Sequence, residues 1–215
     1  MKPLAEAGLS QLFISSSDSH RAFVSFANII EATRAARNHK IDVYLVLGTS
    51  RTSLTCISSV TREFEQAGLG VPWIIESPII PYGRAEEGFD QDELTLQPIT
   101  NFAGPCHSLT ENPTIRPDGQ VTGCAVVFGQ ECAPLAFGQI SQESLSDALD
   151  RMDSNPLANW IHNVGVVELK SLIEATSPLR FENKYVNICH LCGDILSNPE
   201  ALLVLQELGL APATG

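Results

Sequence analysis

The chain has 215 residues, 44% of them apolar, enough to bury a real core, and its length fits one large domain or one and a half smaller ones. Thirteen basic side chains face 25 acidic ones, a formal charge of -12 with no local Lys/Arg cluster to reverse it, so a phosphate backbone is repelled and nucleic-acid binding is disfavoured. The first seven residues lack a signal peptide's apolar core, and nowhere do about 18 uncharged apolar residues run together, which excludes a membrane span and predicts a cytoplasmic protein. In chain order, residues 4–7 before Gly8 read as the tail of a helix, and 12–15 as a short buried strand. Phe23, Phe26, Ala27 and Ile30 fall on one helical face in a segment running to about His39. Residues 43–47 form an uninterrupted β-prone run, the mark of a strand covered on both faces. A helix over about 59–67 ends at Gly68, and residues 71–75 give a third strand with Trp73 as a core residue. This βαβαβ alternation predicts three parallel strands, half of a barrel or of a doubly wound sheet.

From about Ser77 the pattern dissolves into prolines and an acidic run over 86–93, read as a solvated linker ending near Gly104. Pro117-Asp118-Gly119 then centres a predicted hairpin joining 114–116 to 120–122. The remainder is helical: Ser141 caps a helix with Leu145, Ala148, Leu149 and Met152 on one face, Pro156 opens another that stops near Gly165, and Pro199 opens a last one that stops at Gly209.

Six cysteines stand at 56, 106, 124, 132, 189 and 192. Cys106 and Cys124 flank the predicted hairpin, and Cys189-His190-Leu191-Cys192 follows some 65 residues later. Two-residue spacing turns both sulfurs of such a pair to one side, toward one cation or one cluster. If the hairpin packs on this pair, four thiolates converge, and so soft a ligand set selects Zn²⁺ or an iron-sulfur cluster rather than Mg²⁺ or Ca²⁺. A disulfide or unligated thiols are the alternatives. Cys56 and Cys132 read as packing residues. Ser15, Asp18 and His20 stand where a strand hands over to a loop, the rim on which α/β barrels build sites; alternatively Asp18 or Ser19 caps the next helix and His20 is a solvated first-turn residue. Gly48 to Arg51 and Glu76 occupy the equivalent ends of the next two strands. His190 reads as a donor beside the ligands or a surface residue, Trp160 as core, and Arg84 as the partner of Glu86 or Glu87.

Cys106, twelve residues, Gly119, four residues, Cys124, then Cys189-x-x-Cys192, resembles the C-x(9–15)-G-x4-C plus C-x-x-C pattern of the Twitch domain. That domain is the one-cluster relative of the SPASM domain at the C-terminus of many radical S-adenosylmethionine enzymes. "FGQISQESLSDAL", residues 137–149, is similar to the G-x-I-x-x-x-S-L segment after the first cysteine pair of those domains. Residues 4–24 resemble a radical SAM barrel strand with a Ser-x-Asp-type ending, and "PYGRAEE", residues 81–87, resembles the exit into the C-terminal extension. The resemblance implies an α/β chain: a partial parallel (β/α) barrel over 1–85, a linker over 86–104, and over 105–215 a small hairpin-plus-helical domain. There Cys106, Cys124, Cys189 and Cys192 would hold one auxiliary 4Fe-4S cluster serving electron transfer or substrate anchoring in peptide or small-molecule modification. It would let Ser15, Asp18 and His20 face S-adenosylmethionine or substrate. Successive cysteine spacings of 50, 18, 8, 57 and 3 contain no C-x3-C-x2-C, so cleavage of S-adenosylmethionine needs the missing barrel half from elsewhere. Three parallel strands leave an open edge, which predicts a homodimer or a complementary radical SAM chain. Outside the resemblance, a non-catalytic module stapled by zinc on the same four cysteines is the second reading.

Overall fold

The structure, a computed structural model, describes residues 1–125 and 133–211, without the side chain of Arg84. Cys132 and the pairing expected of Arg84 therefore lie outside the described residues. The fold is mixed α/β and divides into two compact units, Met1–Ile79 with Gly88–Thr95, and Ile80–Glu87 with Leu96–Gly215. The stretch read as a linker is thus shared between the units.

In the first unit, α1 (Lys2–Glu6) leads into β1 (Gln11–Ser16), followed by α2 (Asp18–Arg21), α3 (Phe26–Arg37), β2 (Asp42–Thr49), α4 (Ile57–Gln66) and β3 (Trp73–Pro78). The strands form a parallel sheet of order β1-β2-β3, with Phe13 opposite Tyr44 and Tyr44 opposite Trp73. Side chains alternate between faces along a strand, and Val43, Leu45 and Leu47 are the buried set. Leu45 and Leu47 pack with Phe26 and Ile29 of α3 and Val60 and Phe64 of α4, where the Phe26 and Phe64 rings meet edge to face at 5.5 Å. Val43 joins Ala36 and Ile41 in a smaller cluster that α1 covers through Ala5.

The opposite sheet face is bare. Trp73 is 72% exposed, Phe13 57% and Ile75 39%, and Phe13 stacks flat on Tyr44 at 4.7 Å. The expectations of a strand covered on both faces and of a core Trp73 are therefore corrected: α3 and α4 shield one side only. The helical face is corrected too. Ser25 caps α3 by accepting the Ala27 amide at 3.3 Å, so the helix starts at Phe26 and buries Phe26, Ile29, Thr33 and Ala36. Phe23 precedes the cap and is 91% exposed, and Ala27 points outward.

After α5 (Arg84–Gly88), the second unit contains β4 (Gln97–Pro98), α6 (Ser108–Glu111), β5 (Thr114–Ile115), β6 (Gln120–Thr122), β7 (Ala136–Gln139), α7 (Leu145–Ser154), α8 (Pro156–Asn163), α9 (Val166–Thr176), β8 (Lys184–Tyr185), α10 (Ile188–Ser197) and α11 (Pro199–Glu207). β5, β6 and β7 make an antiparallel sheet in that order, and β4 pairs with β8. Between β5 and β6 the Gly119 amide donates to the Arg116 carbonyl at 2.8 Å, with Gly119 at φ +86°, a conformation that favours glycine. The cap of α7 is Ser144, which accepts the Asp147 amide at 3.2 Å, rather than Ser141. Leu109, Leu135, Phe137, Met152, Leu157, Ile161, Leu169, Ile173, Leu191, Ile195 and Leu205 build the core. Trp160 is half-buried against it. Lys170 is buried within this unit and satisfied by Glu174 at 2.9 Å and Asn183 at 3.2 Å. No single described helix is long and apolar enough to cross a membrane; α10 and α11 together have the composition but are bent by 83°.

Candidate functional site

Three elements of the second unit carry the four cysteines of interest. Cys106 precedes α6 and is fixed by its amide, which donates to the Ile161 carbonyl of α8 at 3.1 Å. Cys124 follows β6, where Thr122 donates its hydroxyl to the Cys124 carbonyl at 3.3 Å. The intervening Gly123 amide donates to Leu135 and its carbonyl accepts from Thr110. A β-carbon at Gly123 would sit 2.8 Å from Leu109 Cδ1 and 2.9 Å from Phe137 Cε2, so only glycine lets the backbone come this close to the core.

Cys189 and Cys192 lie near the start of α10. Three residues apart on a helix, they share one face. Asn187 caps that helix by accepting the His190 amide at 3.0 Å, and the helix dipole at this end favours negative charge. All four cysteines are half-buried, and Cys106, Cys124 and Cys192 pack against the same core cluster. Burial pushes the Cys189 thiol up to about 11, and the neighbouring Cys106 and Cys124 push it the same way. Two parts of the chain some 65 residues apart thus bring their sulfurs within electrostatic reach.

No disulfide joins two described cysteines. Among the described residues no three of these sulfurs lie within 4.8 Å of one another. A tetrahedral zinc tetrathiolate, with Zn–S near 2.3 Å, draws its sulfurs to roughly 3.8 Å apart. The set is therefore more widely spread than a single tetrahedral ion holds it. Four thiols suit a zinc ion or an iron-sulfur cluster alike, and either requires all four deprotonated.

His190 is not poised as a further ligand through Nδ1, because that atom accepts the Val186 amide at 3.3 Å and the ring proton sits on Nε2. Burial lowers its pKa, against the pull of Asp194. The ring is held edge-on between Tyr82 and Tyr185 at 5.7 and 4.9 Å, and Tyr82 donates its hydroxyl to the His190 carbonyl at 2.7 Å. Tyr185 donates to Asp194; burial, then this bond and charge, raise the phenol's pKa. The sequence marked none of this aromatic brace, since Tyr82 reaches it only through the fold.

In the first unit Ser17 is the cap of α2, and its hydroxyl is shared with the His20 amide at 3.2 Å and His20 Nδ1 at 2.7 Å. Asp18 accepts the Leu54 and Thr55 amides, each at 2.8 Å, and so ties the end of β1 to the entry of α4. Ser15 faces outward on the bare side of the sheet. Gly48 leaves room for Ser17, whose Cβ would lie 3.3 Å from an added methyl. Arg51 donates its amide to the Glu93 carbonyl at 2.7 Å, and Glu76 is exposed. Asp18 and His20 thus help hold the fold at the end of β1. Cys56 is half-buried at the N-cap of α4, within 3.2 Å of the Ser58 hydroxyl, so it is a helix cap and not the packing residue expected.

Compared with known proteins, neither a family model nor a curated protein matches this chain.

Proposed function

We propose that the second unit is an auxiliary iron-sulfur domain in which Cys106, Cys124, Cys189 and Cys192 hold one 4Fe-4S cluster, and that the chain is the C-terminal portion of a radical SAM-type enzyme. The observation that carries this reading is that the Cys106 and Cys124 thiols, from a distant part of the sequence, act electrostatically on the Cys189 thiol, while Cys106, Cys124 and Cys192 pack on one core. The resemblance of the cysteine spacing to an auxiliary-cluster domain favours a cluster over zinc. When bound, such a cluster supplies one-electron transfer or an open iron for a substrate heteroatom.

The protein's own contribution is the environment of the sulfurs. Burial at Cys189, the α10 N-terminus and the neutral His190 held by Tyr82 and Tyr185 are the levers that set how strongly the thiolates hold charge. A partial (β/α) barrel is the matching reading of the first unit. Parallel sheets are covered on both faces in folded proteins, and this one is bare on one side and open at both edges. Further β/α units from a complementary chain, or a second copy, would close it over a peptide or small-molecule substrate. In such a barrel Ser15 at the end of β1, with Asp18 and His20 just after it, would face S-adenosylmethionine or substrate.

The test is iron and acid-labile sulfide content after anaerobic reconstitution of the full chain, with serine variants. Cys106→Ser, Cys124→Ser, Cys189→Ser and Cys192→Ser should each lose most of the iron, whereas Cys56→Ser should retain it. Retention of the full iron complement by any one of the four variants, with folding intact, would remove that residue from the ligand set.

A further inference from the structure

Beside Cys106 lies a second group of ligand-bearing side chains. His107 precedes α6, Glu111 is its last residue, and His162 lies on α8. Each offers one ligand atom, and the three atoms lie within 4.8 Å of one another, the only such trio of His, Cys, Asp or Glu among the described residues. His107 and Glu111 are exposed, so an ion enters from solvent; His162 is half-buried and provides the fixed point.

The fixing is specific. His162 Nδ1 lies 2.9 Å from the Leu109 carbonyl and 3.2 Å from Thr110 Oγ1. A carbonyl only accepts, so the proton sits on Nδ1 and the lone pair on Nε2. Orientation of a histidine ligand through the other ring nitrogen is the usual arrangement in metal sites. The carbonyl is aimed by an unusual backbone: Thr110, a β-branched residue, holds φ +72°, and Leu109 leaves helical geometry at ψ 135°. That conformation persists because Leu109 is buried and the Thr110 amide is tied to the Gly123 carbonyl at 3.2 Å. His107 completes the group with its ring edge-on to His162 at 5.8 Å.

We propose that His107, Glu111 and His162 form a site for one divalent first-row transition ion of the zinc type, separate from the cysteine set. Two imidazoles and one carboxylate suit such an ion and are the wrong donors for an iron-sulfur cluster. Three protein ligands leave at least one position for water or a substrate oxygen or nitrogen, which makes it a Lewis-acid site rather than a structural staple.

Co²⁺ is the probe, added to the full chain with its cysteine-bound cofactor in place. The expected result is one Co²⁺ per chain with visible ligand-field bands and no thiolate-to-cobalt charge transfer in the near ultraviolet. His107→Ala and Glu111→Gln, both exposed positions that leave the His162 brace intact, should each weaken Co²⁺ binding by about tenfold or more. Wild-type affinity in both variants, or no Co²⁺ bound without charge transfer, would overturn the proposal. If the cysteines carry no cofactor and take up Co²⁺ themselves, the charge-transfer band reports that event. The histidine site is then read from the remaining bands and their loss in the two variants.

Discussion

Cys56 and Cys189 are chemical opposites in one chain. At Cys56 the Ser58 and Ser59 groups donate to sulfur and bring the thiol down to about 7, while at Cys189 burial raises it to about 11. In the metal-free protein the alkylation rate of Cys56 should rise through a midpoint near pH 7, and Cys189 should stay unreactive until strongly alkaline pH. Peptide mapping after iodoacetamide treatment across pH reads both; equal labelling at pH 7 would contradict the assignment. Asp18 provides a second test. Burial pushes its carboxyl up, but bonds from Thr55 and the Leu54 and Thr55 amides, with Arg21, outweigh this and hold it below 3.8. A depressed carboxylate stabilises above its unfolded value and loses that contribution as pH falls. Asp18→Asn should therefore cost about 1 kcal/mol at neutral pH, a value kept small by exposure, and the gap to wild type in urea melts should close as pH drops below 3.8. Neither role is legible from residue type: Asp18 meets its partners 36 and 37 residues away.

Among elements, β1, β2, β3, β5, β6 and α3, α4, α8 and α11 are legible in sequence because apolar spacing, turn residues, proline starts and glycine stops agree there, whereas β4 falls in the stretch read as a linker and β7 and β8 in the stretch read as helical. α10 was not legible, since its Cys-His-Leu-Cys-Gly stretch carries a helix-weakening glycine; Gly193 is buried instead of ending the helix. α9 was missed as well, starting directly after Gly165 at φ +121° with no capping side chain to announce it. The exposed Phe23 follows from the cap at Ser25, a signal that outranks apolar spacing. The segment from Thr122 to Cys124 rests on Gly123. Gly123→Ala forces Leu109 and Phe137 apart and should cost about 1–3 kcal/mol in chemical denaturation. Because Leu109 carries the carbonyl that fixes His162, the same variant should weaken Co²⁺ binding as well. A variant as stable as wild type would show that the core there yields more easily than its packing implies.

For the whole molecule, the cysteine pattern was readable at a distance and the surface was not. Sequence cannot tell whether an apolar strand face meets a layer of its own chain or of another, and Trp73, Phe13 and Ile75 look like core until their exposure is seen. A bare parallel face predicts association: sedimentation velocity should show concentration-dependent self-association or capture of a complementary chain, and Trp73→Lys should shift the protein to monomer. A wild-type monomer at all concentrations would argue that this face needs no cover.

The central claim is that two distant cysteine pairs serve one iron-sulfur centre. Metal analysis of the full chain isolated without oxygen tests it most directly: the account predicts a brown protein with about four irons and four sulfides per chain and little zinc. A colourless protein holding one zinc, or no metal on the four cysteines, would contradict it.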